Sequence, residues 1–278
     1  MSHILIAGLG DLGQSLAQRW LDEGHQVSGI RRQSAAPAGV DLYSQDLAAD
    51  TVLLPPDTVE LLYIIMTPSS RDEAGYERAY LTAPLRLLDA LGEQQPLPPT
   101  VFVSSTAVYG DADGDVSEST PPSPTRFNGK IILAAEQELS TRTVMSTVRF
   151  SGIYGPGRMR LLRQVDRLRE GGEMPKASFT NRIHSHDCVG LLKHVGERFL
   201  ARDMPPGVIV GTDSAPSPNL EVLNWLARER GTPLDLPVPE QVPGKRLRSE
   251  YLRDGHYSLV YPDYRQGYQQ VMASLASE

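Results

Sequence analysis

The stretch Ile4-Leu5-Ile6-Ala7-Gly8-Leu9-Gly10-Asp11-Leu12-Gly13, close to the start of the chain, decides the fold. Its first four residues form an apolar run of strand length, and a glycine-rich turn follows at once. In this pattern Gly8 permits the tight turn, and Gly13 lets the following helix pack closely on the strand. The turn therefore exposes backbone N–H groups and the positive end of a helix, which together attract phosphate.

Strands and helices alternate through the first two-thirds of the chain. We predict a strand over His3–Ala7, a helix over Asp11–Glu23 and a second strand over His25–Ile30. Further predicted elements are strands over Val59–Met66, Thr100–Ser104, Val144–Phe150 and Gly207–Val210, and helices over Ala74–Leu91 and Gly129–Leu139. This alternation predicts an α/β fold with a doubly wound parallel sheet of the Rossmann type.

The order strand, glycine turn, helix and second strand predicts a dinucleotide site. Gly10 would let the backbone approach a pyrophosphate, and Asp11 and Leu12 open the helix whose N-terminus faces that group. We therefore assign cofactor binding to Gly8, Gly10, Asp11, Leu12 and Gly13. The alternative is a glycine turn with a purely structural role.

The residues after the second strand bear on the choice of cofactor. An acidic residue there usually binds the ribose hydroxyls of NAD, whereas this chain has Arg31 and Arg32. A guanidinium is a charged, forked donor that suits a 2′-phosphate, so the sequence favours NADP(H) over NAD(H). The alternative is two solvated loop arginines. Asp46-Leu47 would face the adenine, or Asp46 would simply cap a turn.

Proline and glycine interrupt the pattern from Gly155 onward, and prolines recur between Pro216 and Pro243. We expect these insertions to form a smaller C-terminal substrate lobe at the carboxyl ends of the strands, where open α/β sheets bind ligands. The predicted division is a Rossmann domain of residues 1–152 and 186–213 and a substrate lobe of residues 153–185 and 214–278.

Composition excludes several classes of function. The chain of 278 residues carries a formal net charge of −7 and has no run of Lys and Arg that would follow a nucleic-acid backbone. Apolar stretches such as Leu61–Met66 fall far short of the roughly 20 residues needed to span a bilayer. Its one cysteine, Cys188, predicts neither a disulfide nor a metal site. We expect a cytoplasmic protein without nucleic-acid, membrane or metal partners; a homo-oligomer is left open.

The stretch Val101-Phe102-Val103-Ser104-Ser105-Thr106-Ala107-Val108-Tyr109-Gly110 resembles the extended short-chain dehydrogenases/reductases, specifically their NAD-dependent epimerase/dehydratase group. Four more stretches resemble the same family, at Glu118–Pro122, Leu133–Gln137, Arg149–Gly157 and Asn181–Asp187. The resemblance implies a nicotinamide cofactor and a nucleotide-sugar-like or small polar ligand.

The resemblance also assigns individual roles. Ser105 matches the hydroxyl that orients the substrate in this family, and we place it as the catalytic candidate. Thr106 and Tyr154 are assigned to the substrate, and Ser104 and Lys130 to the cofactor. Thr67 and Pro68, after the fourth predicted strand, would border the nicotinamide ribose. A solvated lysine in the first turn of a helix is the alternative for Lys130.

The chain departs from the family at its catalytic dyad. Counted back from the helix at Leu133–Gln137, the tyrosine of Tyr-x-x-x-Lys is replaced by Asn128 and the lysine by Ile132. Using Lys130 instead would put Arg126 at the tyrosine position. Since that tyrosine is the family's proton donor, the substitution predicts slow or absent turnover. The second departure, Ala7 in place of the first glycine of the nucleotide turn, should leave binding intact.

Three hypotheses follow. The first is an atypical epimerase/dehydratase-like oxidoreductase, and the second is a non-catalytic dinucleotide-binding sensor or regulatory protein. The third, a hydroxyacid-type dehydrogenase, rests on Ile4–Gly13 alone, and the Ser105 and Tyr154 stretches argue against it. We expect Tyr76 and Tyr80, one helical turn apart, to pack against neighbouring residues, with stacking on a substrate as the alternative. We expect His184 and His186, on a strand-like segment, to serve structural hydrogen bonds.

Overall fold

The computed structural model describes residues 1–33, 35–49, 51–203 and 207–275. Its strands are β1 (His3–Ala7), β2 (Gln26–Arg31), β3 (Val40–Ser44), β4 (Leu61–Ile64), β5 (Thr100–Ser105), β6 (Gly114–Val116), β7 (Met145–Phe150), β8 (Gly152–Tyr154), β9 (Phe179–Thr180), β10 (Arg182–His184), β11 (Gly207–Gly211), β12 (Ser217–Pro218) and β13 (Lys245–Leu247).

The helices of the described residues are α1 (Asp11–Asp22), α2 (Glu73–Glu77), α3 (Ala83–Gln94), α4 (Phe127–Arg142), α5 (Arg160–Arg169), α6 (Ser185–Leu200), α7 (Asn219–Glu229), α8 (Glu250–Arg253) and α9 (Tyr264–Leu275). A π-helical turn (Arg78–Thr82) joins α2 to α3, and a 3₁₀ turn (Thr106–Tyr109) follows β5. Among these residues, no helix combines the length and the apolar character needed to cross a membrane.

The central element is a seven-stranded parallel sheet in the order β11-β7-β5-β4-β1-β2-β3. Ile4 of β1 is paired with Val27 of β2 on one side and with Leu61 of β4 on the other. The chain runs outward from β1 to β3 and then returns to β4, so β1 and β4 flank the point at which strand order reverses. Ligands bind at such a point in doubly wound sheets. The predicted α/β Rossmann fold is confirmed.

Burial explains why these segments form these elements. Every residue of β1 and β4 is buried, as expected for central strands covered by helices on both faces. In α1 the residues Leu12, Leu16 and Trp20 are buried on one side, while most of the other positions are at least partly exposed. The amphipathic spacing that predicted this helix therefore marks the side of α1 that packs on the sheet.

Two predicted elements need correction. The strand predicted over Val59–Met66 is shorter, Leu61–Ile64, and the helix predicted over Ala74–Leu91 is interrupted by the π-helical turn. The strand β3 was not predicted, because it is a half-exposed edge strand without an apolar run.

Contacts divide the chain into two compact units. The first unit consists of Met1–Gly110, Pro122–Arg149 and Val189–Ile209, and the second consists of Asp111–Pro121, Phe150–Cys188 and Val210–Glu278. The second unit has its own apolar core, in which Tyr154, Leu223 and Tyr268 are buried. Within this unit the Glu118 carboxylate accepts hydrogen bonds from the N–H of Val210 (2.8 Å), the N–H of Glu250 (2.7 Å) and the hydroxyl of Ser249 (2.9 Å).

Candidate functional site

The glycine turn after β1 is held between two neighbouring strands. Gly8 has φ +108°, in the region that L-residues rarely adopt, and a Cβ added there would lie 2.1 Å from the carbonyl oxygen of Ile65. Its N–H donates to the carbonyl oxygen of Ile30 at 2.9 Å. Both the backbone conformation and the close approach of the chain therefore require glycine at this position.

Gly10 and Gly13 serve different purposes. A Cβ added at Gly13 would lie 2.3 Å from the carbonyl oxygen of Gly8, so Gly13 allows α1 to pack against the turn. A Cβ added at Gly10 would meet no protein atom within 4 Å. Gly10 is the N-cap of α1 and has φ −76°, which any residue can adopt. Packing therefore does not require glycine at position 10.

The open space beside Gly10 is a cavity of about 500 Å³, lined by residues of the first unit. Seven of the predicted cofactor residues line it: Gly8, Gly10, Arg31, Arg32, Asp46, Leu47 and Thr67. The other six lie outside its lining: Asp11, Leu12, Gly13, Pro68, Ser104 and Lys130. The structure thus brings together the loops that follow β1, β2, β3 and β4 around one cavity.

The two arginines at the end of β2 differ in their surroundings. The Arg31 guanidinium donates to the carbonyl oxygen of Ala35 at 2.6 Å and to the side-chain oxygen of Gln33, which fastens it to its own loop. Arg32 is exposed at the wall of the cavity. The site therefore contains one arginine held in place and one exposed to solvent.

Arg78 also lines this cavity, and sequence analysis missed it. It is the first residue of the π-helical turn, and its Nη2 lies 3.1 Å from Oδ2 of Asp46. The other carboxylate oxygen of Asp46 accepts the N–H of Ala48 at 3.0 Å. Helical spacing from Gly75 places Arg78 and Ala79 on one face, so a signal existed, but nothing in the sequence identified that face as the wall of a cavity.

The predicted catalytic residue Ser105 lies at the end of β5. Its Oγ accepts the N–H of Ala107 at 3.2 Å and so caps the 3₁₀ turn that begins with the buried Thr106. A Cβ added at Gly129 would lie 2.6 Å from the carbonyl oxygen of Ala107, which means that the first turn of α4 packs directly on this 3₁₀ turn. Asn128 therefore stands next to the turn that Ser105 caps.

Further along α4, the two candidate positions for a lysine differ in exposure. Ile132 is 2% exposed, whereas Lys130 is exposed to solvent. The helix therefore presents no lysine from the buried position where the family resemblance places one.

A buried charged network lies behind Ser105. Arg149 donates through Nε and Nη2 to the two carboxylate oxygens of Glu136, at 2.9 and 2.6 Å, and through Nη1 to the hydroxyl of Tyr109 at 2.9 Å. The Ser104 hydroxyl donates to the same carboxylate. Burial lowers the pKa of the Arg149 guanidinium, but the hydrogen bonds and charge interactions with Glu136 and Tyr109 together raise it. The hydroxyls of Ser104 and Tyr109 thus belong to a buried hydrogen-bond network.

A row of aromatic side chains leads to the first residue of α4. Tyr76 and Tyr80 stack with ring centroids 5.7 Å apart, and Phe127 meets Tyr76 edge-on at 5.5 Å. Burial, and to a smaller extent the neighbouring Tyr76, raise the pKa of Tyr80 to about 12. These tyrosines pack against each other, as the sequence predicted, and Tyr80 stays protonated around neutral pH.

Tyr154, predicted to contact substrate, is 4% exposed in the core of the second unit. Its hydroxyl donates to the carbonyl oxygen of Asp263 at 3.3 Å, and its ring stacks on Tyr268 at 4.6 Å. Burial raises the pKa of the Tyr154 hydroxyl above its ordinary value. Its role toward a substrate stays a prediction.

The prediction that His184 and His186 lie on one strand-like segment is wrong. His184 ends β10, and α6 begins at Ser185, so His186 belongs to a helix. The N–H of His186 donates to Nδ1 of His184 at 3.2 Å, and burial lowers the pKa of His184. The strand pattern continued directly into a helix without the glycine or proline that would have marked the change.

The fold and the glycine turn define a Rossmann protein with a dinucleotide-type site. Residues 4–181 match the profile of the NAD dependent epimerase/dehydratase family, and the chain belongs to this family. Protein YeeZ of Escherichia coli K12 is 31% identical over 204 residues, which cover 69% of this chain and 72% of that protein.

Two solved structures are similar over nearly the whole chain. A Methylobacillus flagellatus protein assigned to the NAD-dependent epimerases/dehydratases is 35% identical, with a TM-score of 0.83 and 99% of both chains covered. The human epimerase family protein SDR39U1, solved with NADPH, is 18% identical with a TM-score of 0.74, over 98% of this chain and 99% of that one, and shows the shared fold.

Proposed function

We propose that this protein binds NADP(H) in the cavity beside Gly10 and is an epimerase/dehydratase-like member of its family that has lost most of its catalytic power. The observation that carries the proposal is the composition of the cavity wall. A backbone turn without side-chain obstruction at Gly10 adjoins the N-terminus of α1, and Arg31 and Arg32 line the same cavity.

The residues fit such a cofactor on two grounds. The N-terminus of α1 and the bare backbone of Gly10 suit a pyrophosphate, because first-turn N–H groups and the helix dipole favour an anion. Arg31, the last residue of β2, and Arg32 after it suit a 2′-phosphate, because a guanidinium offers charged donors to its oxygens. SDR39U1, which shares the fold, is a family protein solved with NADPH.

NADPH is expected to bind at least about tenfold more tightly than NADH, because a charge-assisted hydrogen bond contributes roughly 1.5–3 kcal/mol and 1.4 kcal/mol corresponds to a factor of ten. The preference should shrink in Arg31→Ala and in Arg32→Ala. Calorimetric titration of both cofactors against wild type and variants measures it. Arg142→Ala, at the far end of α4, removes an exposed arginine from the same unit and should leave the ratio unchanged. Equal affinities for the two cofactors in the wild type would contradict the proposal.

The proposal of weak catalysis rests on Asn128 and Ile132 standing where the family has a proton donor and its lysine. When bound, NADPH would supply a hydride to a carbonyl carbon of the ligand, and the carbonyl oxygen would then need a proton from the protein. Asn128 has no proton to give near neutral pH, and Tyr109 is only 1% exposed, with a hydroxyl that accepts from Arg149 in the interior. Ser105 can still orient a nucleotide-sugar-like or small polar ligand through its hydroxyl, but it cannot replace the acid.

We expect little NADPH oxidation with common nucleotide sugars, because a positioned acid contributes about 10²–10⁴-fold. The double variant Asn128→Tyr/Ile132→Lys should gain activity, at some cost in stability, because Ile132 is 2% exposed and a lysine there must be desolvated. Initial rates and melting temperatures of wild type, both single variants and the double variant measure both effects. Robust wild-type turnover that survives Asn128→Ala would show that another group supplies the proton.

The same two residues favour the second candidate, a non-catalytic dinucleotide-binding sensor. A cofactor-dependent change in melting temperature without turnover on any tested carbonyl substrate would favour this candidate. The cytoplasmic location stays a prediction of the sequence.

A further inference from the structure

The cavity proposed for NADP(H) contains one feature that opposes a phosphate. Asp46 lines the same cavity as Arg31 and Arg32, and the N–H of Gln45, the residue before it, donates to the carbonyl oxygen of Arg31 at 3.0 Å. A carboxylate so close to the end of β2 would repel the two negative charges of a 2′-phosphate. If Asp46 had no positively charged partner, its carboxylate would weaken the binding of the 2′-phosphate that Arg31 and Arg32 favour.

The positive charge that compensates Asp46 belongs to the π-helical turn between α2 and α3. Arg78 begins the π-helical turn, and its Nη2 lies 3.1 Å from Oδ2 of Asp46, across 32 residues of sequence. The N–H of Ala48 holds the other carboxylate oxygen, so the carboxylate is oriented from two sides. Arg78 lines the cavity itself, and Ala79 beside it is 7% exposed. The π-helical turn thus places a cation beside Asp46, the one carboxylate among the described residues that line the cavity.

We propose that Arg78 is a specificity-determining residue that neutralises Asp46 and so lets the cavity accept a phosphorylated ribose. This inference rests on the proposed NADP(H) site. Arg78 would act through Asp46, whereas Arg31 and Arg32 would contact the phosphate directly. The consequence is that selectivity for NADP(H) depends on a residue outside the end of β2.

The exposure of the Arg78 and Asp46 side chains sets the expected size of the effect on cofactor preference. The side chains of Arg78 and Asp46 are 52% and 32% exposed, so water and salt screen their fields. Loss of the arginine is therefore expected to lower the NADPH preference by about three- to tenfold and not to abolish it. The loss should diminish at high ionic strength, because screened charges act over a shorter distance.

The test compares Arg78→Gln, Asp46→Asn and the double variant, using the ratio of the NADH and NADPH dissociation constants. The ratio cancels any contact between Asp46 and the part that both cofactors share. It should fall about three- to tenfold in Arg78→Gln and return to within about twofold of wild type in the double variant, since the double variant removes the repelling carboxylate. The exposed Arg71→Gln, outside the cavity lining, is the matched control and should leave the ratio unchanged.

Each other outcome contradicts the inference in a distinct way. An unchanged ratio in Arg78→Gln would remove Arg78 from specificity while leaving the NADP(H) proposal standing. A ratio that falls in Arg78→Gln and stays low in the double variant would mean that Arg78 contacts the phosphate directly. A wild type without NADPH preference would overturn the proposed function itself, and this inference with it.

Discussion

Replacing Gly10 with valine is expected to abolish dinucleotide binding while leaving the protein folded. A Cβ at this position meets no protein atom within 4 Å, and the backbone at φ −76° accommodates any residue. The added side chain would instead enter the cavity beside the N-terminus of α1, where a pyrophosphate would need the backbone N–H groups. Loss of two charge-assisted bonds, each worth about 1.5–3 kcal/mol, weakens binding more than about 100-fold.

Titration with NADPH, together with circular dichroism and thermal melting, measures both parts of this expectation. Gly13→Ala is the matched control, because its Cβ would lie 2.3 Å from the carbonyl oxygen of Gly8. That variant should lose stability, by about 1–3 kcal/mol for overpacking. Retained NADPH affinity in a folded Gly10→Val protein would place the cofactor elsewhere.

Replacing Arg149 with leucine is expected to cost about 3–5 kcal/mol of unfolding free energy, because it leaves the Glu136 carboxylate buried without its cation. The two side chains are only 5% and 6% exposed, so water cannot substitute for the lost partner. The same change also removes the donor to Tyr109. Chemical denaturation at neutral pH measures the loss.

An exposed ion pair of the same unit supplies the control. Arg142 lies 2.7 Å from Asp89, with side chains 39% and 60% exposed, and Arg142→Leu should cost less than about 1 kcal/mol. If Arg149→Leu is too unstable to purify, the variant Glu136→Met/Arg149→Leu should recover much of the stability, because it leaves no unpaired buried charge. Equal losses in the single and double variants would indicate that packing, and not charge, makes Arg149 important.

This network matters for the candidate site because of what it joins. Ser104 belongs to β5, Tyr109 to the 3₁₀ turn, Glu136 to α4 and Arg149 to β7. The four side chains therefore tie the turn capped by Ser105 to the helix that carries Asn128. Their hydrogen bonds therefore hold β5, the 3₁₀ turn, α4 and β7 against one another beside Ser105.

The sequence correctly predicted those features that depend on residues close together along the chain. The apolar run of β1, the turn at Gly8 and the amphipathic spacing of α1 are local patterns, and each was predicted within one residue of its observed bounds. Family membership could also be predicted, because its motifs are contiguous stretches such as Val101–Gly110.

Sequence prediction failed where an element lacked a local signal. The edge strand β3 has no apolar run because one side of it faces solvent, and the π-helical turn lies inside the span that was predicted as one continuous helix. His186 was placed on a strand because α6 follows β10 without a breaking residue.

The sequence by itself determined the Rossmann fold, the family and the two arginines that line the cavity. Only the tertiary structure decided that Arg78 meets Asp46, that Arg149 meets Glu136 and that Asp111–Pro121 belongs to the second compact unit. The physical reason is that periodicity and turn chemistry act over a few residues, whereas these contacts depend on the order of strands in the sheet. That order brings together side chains whose separation along the chain gives no sign that they meet.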